Sequence, residues 1–163
     1  ALWDALMEAG TEFGIRPVGV LALHAMRMEK GYGGWGLELT SDYTPYEAGL
    51  GFLVKDKTVD YIGKSALAEL KGKATQKLCL FEIDSEDADA FGGEPVFFNG
   101  EIVGEVTSGS YGHCVGKSLA LAYVRGDART AKDGFEISVV GEKHNAKRLA
   151  NPPYDPTGNL LRS

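Results

Sequence analysis

The chain has 163 residues and a formal net charge of −6, which leaves room for one sizeable domain or a small domain joined to part of another. The acidic balance excludes the ordinary nucleic-acid binder, whose affinity comes mainly from Lys and Arg neutralising phosphates. No apolar run approaches the roughly 18–20 residues that a membrane helix requires, and no basic-then-apolar leader pattern opens the chain. Ala1 stands where an initiator Met would, directly ahead of a helical pattern, which reads as a cut inside a longer polypeptide.

Residues 1–9 place Leu2, Leu6 and Ala9 at helical spacing, with Gly10 as the stop. Gly14-Ile15-Arg16-Pro17 is a turn, and Val18 to Lys30 reads as a second helix, apolar on most sides until Arg27 and therefore largely buried. Gly31 to Gly36 is too rich in glycine to remain helical and is expected to be a loop that carries Tyr32 and Trp35. Thr44-Pro45-Tyr46-Glu47 has the cap and first-turn proline of a short helix start. Gly51 to Val54 is expected as a brief strand, and Ile62 to Lys71 as a third helix ended by Gly72.

After about Ala74 the texture changes to short strands: Leu78–Ile83, Val96–Phe98, Glu101–Val106, Leu119–Val124, Phe135–Val140 and Lys143–Leu149. Asn99-Gly100 is the favoured pair for a tight type I′ hairpin. Ser85 to Gly93 reads as an acidic surface loop, Thr107 to Gly112 as a polar, flexible connection whose hydroxyls could line a ligand mouth, and Asn151 to Pro156 as an extended, proline-fixed tail. Strands at this spacing without intervening helices predict a small antiparallel barrel of Greek-key type. The fold class is thus α+β: an α/β front segment over residues 1–74 and an all-β unit over residues 75–163.

Several motifs fail on spacing. Gly63-Lys64-Ser65 and Gly116-Lys117-Ser118 would need a leading glycine at Thr58 and Tyr111 to form a phosphate-binding loop. His113 and Cys114 are neighbours, and in an extended segment they would point to opposite faces and could not act as a pair. His24, His113 and His144 show no metal-ligand spacing, and Glu86, Asp87 and Asp89 lack the order of a calcium loop, so no metal site is expected. Cys79 and Cys114 form no CxxC pair and read as free thiols of a reducing compartment. Arg27 and Glu29 differ from these. Charged residues at the end of an apolar helix need partners, and two positions apart they face different sides. A structural ion pair and a ligand contact both remain open for them. Trp35, on a glycine loop, is either a core plug or a platform for a flat ring.

Arg27-Met28-Glu29-Lys30-Gly31 followed by Trp35-Gly36 resembles the R-[LM]-E-x-G…[YW]-G stretch of the glycine-cleavage T-protein family of aminomethyltransferases. The likeness continues in order through Thr44–Leu50, Tyr61–Leu67, Thr107-Ser108-Gly109 and Gly116–Ala122. Glu47-Ala48-Gly49-Leu50 and the Pro-Pro-Tyr-Asp-Pro-Thr-Gly ending, residues 152–158, look closest to the C-terminal region of dimethylglycine and sarcosine dehydrogenases. The resemblance implies a three-domain cloverleaf that binds tetrahydrofolate and transfers a one-carbon unit from a glycine-derived or methylated-glycine-derived amine. Residues 1–74 would then be the remnant of the central folate-binding region, with Arg27 and Trp35 lining the folate pocket and Glu29 supporting it. The family's catalytic acid lies before these motifs, so no catalytic residue is expected in this chain, which by itself would be inactive. An FAD-binding part would also precede Ala1 if the parent is a dehydrogenase. The implied partners are folate, an amine donor and the N-terminal domains of the parent, in bacterial cytoplasm or mitochondrial matrix. A non-catalytic folate-binding or scaffolding member of the same fold is the alternative.

Overall fold

The structure, a computed structural model, describes residues 1–54 and 59–162; Thr58 lies outside them. Helix α1 runs over Leu2–Gly10, helix α2 over Val20–Glu29 and helix α3 over Lys64–Leu70. Six strands follow: β1 Gln76–Ile83, β2 Pro95–Phe98, β3 Glu101–Gly112, β4 Lys117–Arg125, β5 Phe135–Val139 and β6 Glu142–Leu149.

The strands close into a barrel in the order β1-β4-β3-β2-β5-β6, every pairing antiparallel. Strands β2, β3 and β4 form a meander, and β1 lies beside β4, which is the Greek-key arrangement expected. The β2–β3 hairpin turns on Asn99 (φ 52°) and Gly100 (φ 86°), the two positive φ values that a type I′ turn demands. Inside, Phe81 and Phe135 meet edge-on at 5.0 Å among Val96, Val106, Ile137 and Val139. Small residues at Ala120 and Ala122 leave room for those rings.

Strand β4 is buried on both faces from Ser118 to Val124. Ala120, Ala122 and Val124 point into the barrel, while Leu119 and Leu121 pack outward against Met28 of α2 and Leu80. A strand that reads apolar at every position, Leu-Ala-Leu-Ala-Tyr-Val, therefore sits between two cores. This is what fixes the front segment onto the barrel wall.

The structure corrects several expectations. Helix α2 is covered on one face alone: Ala25, Met28 and Glu29 are buried, whereas Val20, Leu21 and Leu23 face outward because nothing among the described residues packs on that side. Thr44 and Glu47 do form a reciprocal capping box, with Thr44 N–H on Glu47 Oε2 at 3.0 Å and Glu47 N–H on Thr44 Oγ1 at 3.3 Å. The chain makes only one turn there, since Gly49 (φ 75°) takes it out of helical geometry. Gly51–Leu53 is a 3-10 turn with i→i+3 bonds, and no strand among the described residues pairs with it. Helix α3 begins at Lys64 because Gly63 is left-handed (φ 87°). Thr107 to Gly112 is no flexible connection but the second half of β3, paired with β4 from Ser108↔Leu121 to Gly112↔Lys117. The segment at 113–116 is a tight turn rather than extended. The C-terminal tail is not extended either. It folds back on α2, with Tyr154 N–H on the Glu29 carbonyl at 3.2 Å and Lys30 Nζ 3.1 Å from the Asp155 carboxylate.

Candidate ligand-binding site

The site is built where α2 ends. Gly31 (φ 62°) closes the helix with paired bonds, Tyr32 N–H to the Arg27 carbonyl at 2.9 Å and Gly31 N–H to the Met28 carbonyl at 3.0 Å. This double closure needs a left-handed residue, so glycine is the natural occupant. It turns the chain back so that Gly34 and Glu38 return beside Arg27 in the last helical turn. A Cβ on Gly34 would lie 3.4 Å from Arg27 Cζ, so the bare backbone of that residue rests against the guanidinium.

Arg27 is deeply engaged. Nη1 donates to Glu38 Oε2 at 3.0 Å and to the Tyr32 carbonyl at 3.1 Å; Nη2 donates to Ser108 Oγ at 2.8 Å and to His24 Nδ1 at 3.1 Å. A guanidinium only donates, so His24 Nδ1 accepts, and the ring hydrogen sits on Nε2, 3.2 Å from the Gly109 carbonyl. The partner carboxylate, Glu38, is completely buried. Its Oε2 also takes the Gly34 N–H at 2.6 Å, and its Oε1 lies 2.5 Å from Ser108 Oγ and 2.7 Å from Thr107 Oγ1. Burial by itself would raise the Glu38 pKa. The hydrogen bonds from Ser108, Gly34 and Thr107, together with the Arg27 charge, outweigh it and hold the carboxyl below its ordinary value.

Thr107 and Ser108 are adjacent on β3, yet both reach the same oxygen. In a regular strand their side chains would point to opposite faces. The pairing shifts register between Val106 and Ser108, so Thr107 is the extra residue of a bulge, and the bulge swings both hydroxyls to one side.

The three residues singled out from the sequence are not all brought together. Arg27 lies in the last turn of α2 and Trp35 in the loop that follows; Trp35 is 90% exposed, so it is a free indole face and not a core plug. Glu29 points to the opposite side of α2. There its Oε1 accepts the Cys114 and Val115 N–H groups at 2.6 and 3.1 Å and holds the β3–β4 turn. The same carboxylate, through a hydrogen bond and its charge, raises the pKa of the exposed Cys114 thiol, away from nucleophilic use. Glu38 was missed in the sequence. Its signal was a lone acid between two leucines, Leu37-Glu38-Leu39, just downstream of an unpaired arginine. His24 was also readable, three residues before Arg27 on one helix face.

Two clefts flank this loop. One, of about 660 Å³, lies between α2 and β3 and is lined by Val20, His24, Leu37, Phe91, Ser108 and Tyr111 among others. The other, of about 730 Å³, lies on the far side of the glycine loop beside Tyr32, Leu50, Phe52, Leu80 and Pro152. Among the described residues, no group of three or more His, Cys, Asp or Glu is placed to hold a metal ion. No helix among them is long and apolar enough to cross a membrane.

Residues 76–155 match the family described as glycine cleavage T-protein C-terminal barrel domain, and residues 1–58 match the GCVT N-terminal domain. The chain belongs to the glycine-cleavage T-protein family. It is 40% identical over 166 residues to human mitochondrial dimethylglycine dehydrogenase, covering 99% of this chain and 19% of that protein. It is likewise 40% identical over 156 residues to an aminomethyltransferase of Symbiobacterium thermophilum, covering 94% of the chain and 41% of the relative. A 4-methylaminobutanoate oxidase (formaldehyde-forming) of Paenarthrobacter nicotinovorans is 37% identical over 161 residues, again with 19% of its length covered. The fold matches the glycine cleavage system aminomethyltransferase T of Bartonella henselae with a TM-score of 0.82 at 24% identity, over 94% of this chain and 44% of that one. The chain thus spans about a fifth of the two oxidising relatives and about two fifths of the aminomethyltransferase.

Proposed function

We propose that this chain is the C-terminal portion of a tetrahydrofolate-dependent enzyme that transfers a one-carbon unit from a glycine-derived or methylated-glycine-derived amine. The observation that carries the reading is the 40% identity to both dimethylglycine dehydrogenase and an aminomethyltransferase over nearly the whole chain. Residues 1–74 are then the end of the central folate-binding region and residues 75–163 the barrel. The remaining N-terminal domains, with FAD if the parent is a dehydrogenase, supply the rest. Mitochondrial matrix or bacterial cytoplasm follows from where such parents act.

The loop suits one edge of a folate. A fused pterin and a benzoyl ring are flat, and Trp35 offers an open indole face one residue after Gly34, whose backbone rests against the Arg27 guanidinium. Folate supplies the nitrogen that accepts the one-carbon unit; this chain's residues orient the ligand and exclude water. Proton removal is a different matter. Around the loop, Glu38 is filled by four donors, Glu29 caps two backbone N–H groups, and Asp89 accepts from Ser118 Oγ at 2.7 Å. A general base must present a free lone pair within about 3 Å of its proton. Glu38 is occupied on both oxygens, and the family resemblance puts the catalytic acid ahead of the motifs in this chain, so the acid–base group is assigned to the N-terminal part and this chain alone is expected to be inactive. The same fact favours the second reading, a non-catalytic folate-binding member of the fold.

The test is tryptophan fluorescence of the chain in a Trp3→Phe background, titrated with 5-formyltetrahydrofolate. Saturable quenching that Trp35→Phe abolishes and Arg27→Ala weakens supports folate beside this loop. Folded chain without saturable quenching, repeated with the same result in the full-length parent, refutes it.

A further inference from the structure

We propose that Glu38 is the positioning residue for Arg27, locking its guanidinium so that Nε–H is the one donor left for a ligand; the ligand half of this proposal rests on the folate reading. Arg27 has five N–H donors. The four on Nη1 and Nη2 are engaged by Glu38, Tyr32, Ser108 and His24. Nε has no partner among the described residues, and none of their buried side-chain nitrogens or oxygens lacks one, so Nε–H faces open space. The arginine therefore meets its ligand through a single acceptor oxygen, a carbonyl or one carboxylate oxygen. The two-pronged grip on a carboxylate that arginine commonly makes is already given to Glu38 and its neighbours.

Glu38 is suited to this role by what holds it. One oxygen faces Arg27 and the Gly34 N–H; the other is fixed by Ser108 and Thr107. Those two hydroxyls come from the barrel, and only the bulge at Thr107 brings both to the same oxygen. Barrel and ligand loop are joined through one buried carboxylate, so β3 sets the angle at which Arg27 presents Nε–H.

The experiment is NMR of the 163-residue chain with arginine side chains labelled with 15N, Arg27 being assigned by the loss of its signals in Arg27→Lys. Wild type is expected to show separate, exchange-protected Nη signals for Arg27. Glu38→Gln merges them and speeds their hydrogen exchange about tenfold or more, for one acceptor oxygen then stands where two stood. Thr107→Val, which removes a single hydroxyl, gives an intermediate acceleration and serves if Glu38→Gln does not fold. On adding 5-formyltetrahydrofolate, the Nε–H signal moves and the Nη signals stay. Merged Nη signals in wild type, or signals indifferent to both substitutions, overturn the positioning role. Nη signals that move as far as Nε–H overturn the single-oxygen contact. If no Arg27 signal responds to folate while the lock persists, the ligand half fails and the positioning of Arg27 by Glu38 stands; the folate reading itself falls when the full-length parent also shows no saturable quenching.

Discussion

Replacing Glu47 with Gln isolates the energetics of a carboxylate that ties the front segment to the barrel. Thr44 N–H and Oγ1 meet Oε2 at 3.0 and 2.9 Å, and Thr75 N–H and Oγ1 meet Oε1 at 3.0 and 3.0 Å. Glu47 is 6% exposed, and its own carbonyl accepts the Leu78 N–H of β1 at 2.8 Å. Burial would raise its pKa, but the backbone and hydroxyl donors of Thr44 and Thr75 prevail and lower it from 4.5 to about 2. At ~1.36 kcal/mol per unit that interval is worth ~3 kcal/mol, reduced to about 2 kcal/mol by water near this loop. Gln offers one acceptor oxygen in place of two and turns an N–H₂ toward a backbone N–H, a loss of similar size, about 1.5–3 kcal/mol. The sign follows from the lowered pKa. The contribution is complete above the unfolded value of 4.5 and is lost as pH falls through about 2. Urea unfolding followed by far-ultraviolet circular dichroism, near pH 7 and then at steps down to about pH 2, measures it. Glu38 titrates downward in the same direction, so the wild-type profile alone does not isolate Glu47. The difference between wild type and Glu47→Gln does, and it should shrink as the solution is acidified. A difference that stays constant from neutral to acid refutes the claim that the ionised carboxylate is the acceptor.

Three further outcomes are expected. Gly109→Ala puts a Cβ 2.0 Å from the Ala90 carbonyl oxygen, a backbone atom that cannot swing aside, so thermal unfolding should show a loss of about 3 kcal/mol or failure to fold. Glu29→Gln removes the charge beside Cys114; in a Cys79→Ser background the pH profile of iodoacetamide alkylation should move to lower pH, and an unmoved profile counts against that contact. Lys30→Met breaks the pair with Asp155 that holds the tail, so chymotrypsin should cleave at Tyr154 several-fold faster than in wild type, with the barrel left intact.

The barrel was legible because its signals are local. Asn99-Gly100 dictates one hairpin through backbone sterics, and alternating apolar residues on β5 and β1 mark an inward face whatever lies elsewhere. The front segment was less so. Residues 18–30 are apolar enough to be buried all round, and the pattern predicts that they are; it does not say which chain covers them. Here Val20, Leu21 and Leu23 stay exposed on α2. The 44–54 region has helix and strand propensities in turn, and Gly49 and Gly51 override both, the first by a positive φ and the second by a tight turn.

The site divides along the same line. Arg27 and Trp35 were readable as a motif running from the end of a helix into a glycine loop, and the Gly31 closure makes that loop from local geometry alone. What fixes Arg27 was not readable, because it depends on one extra residue in a strand 80 positions away in sequence. Thr107-Ser108-Gly109-Ser110 looks like a flexible connection: small, polar and glycine-bearing. It is a strand because β4 supplies partners, and Gly109 is there to admit the Ala90 carbonyl rather than to bend. Once Thr107 bulges, two neighbouring hydroxyls that a regular strand would separate converge on Glu38. A composition that suggests slackness thus supplies the two hydroxyls that hold the buried Glu38 carboxylate, and one of them also accepts from Arg27.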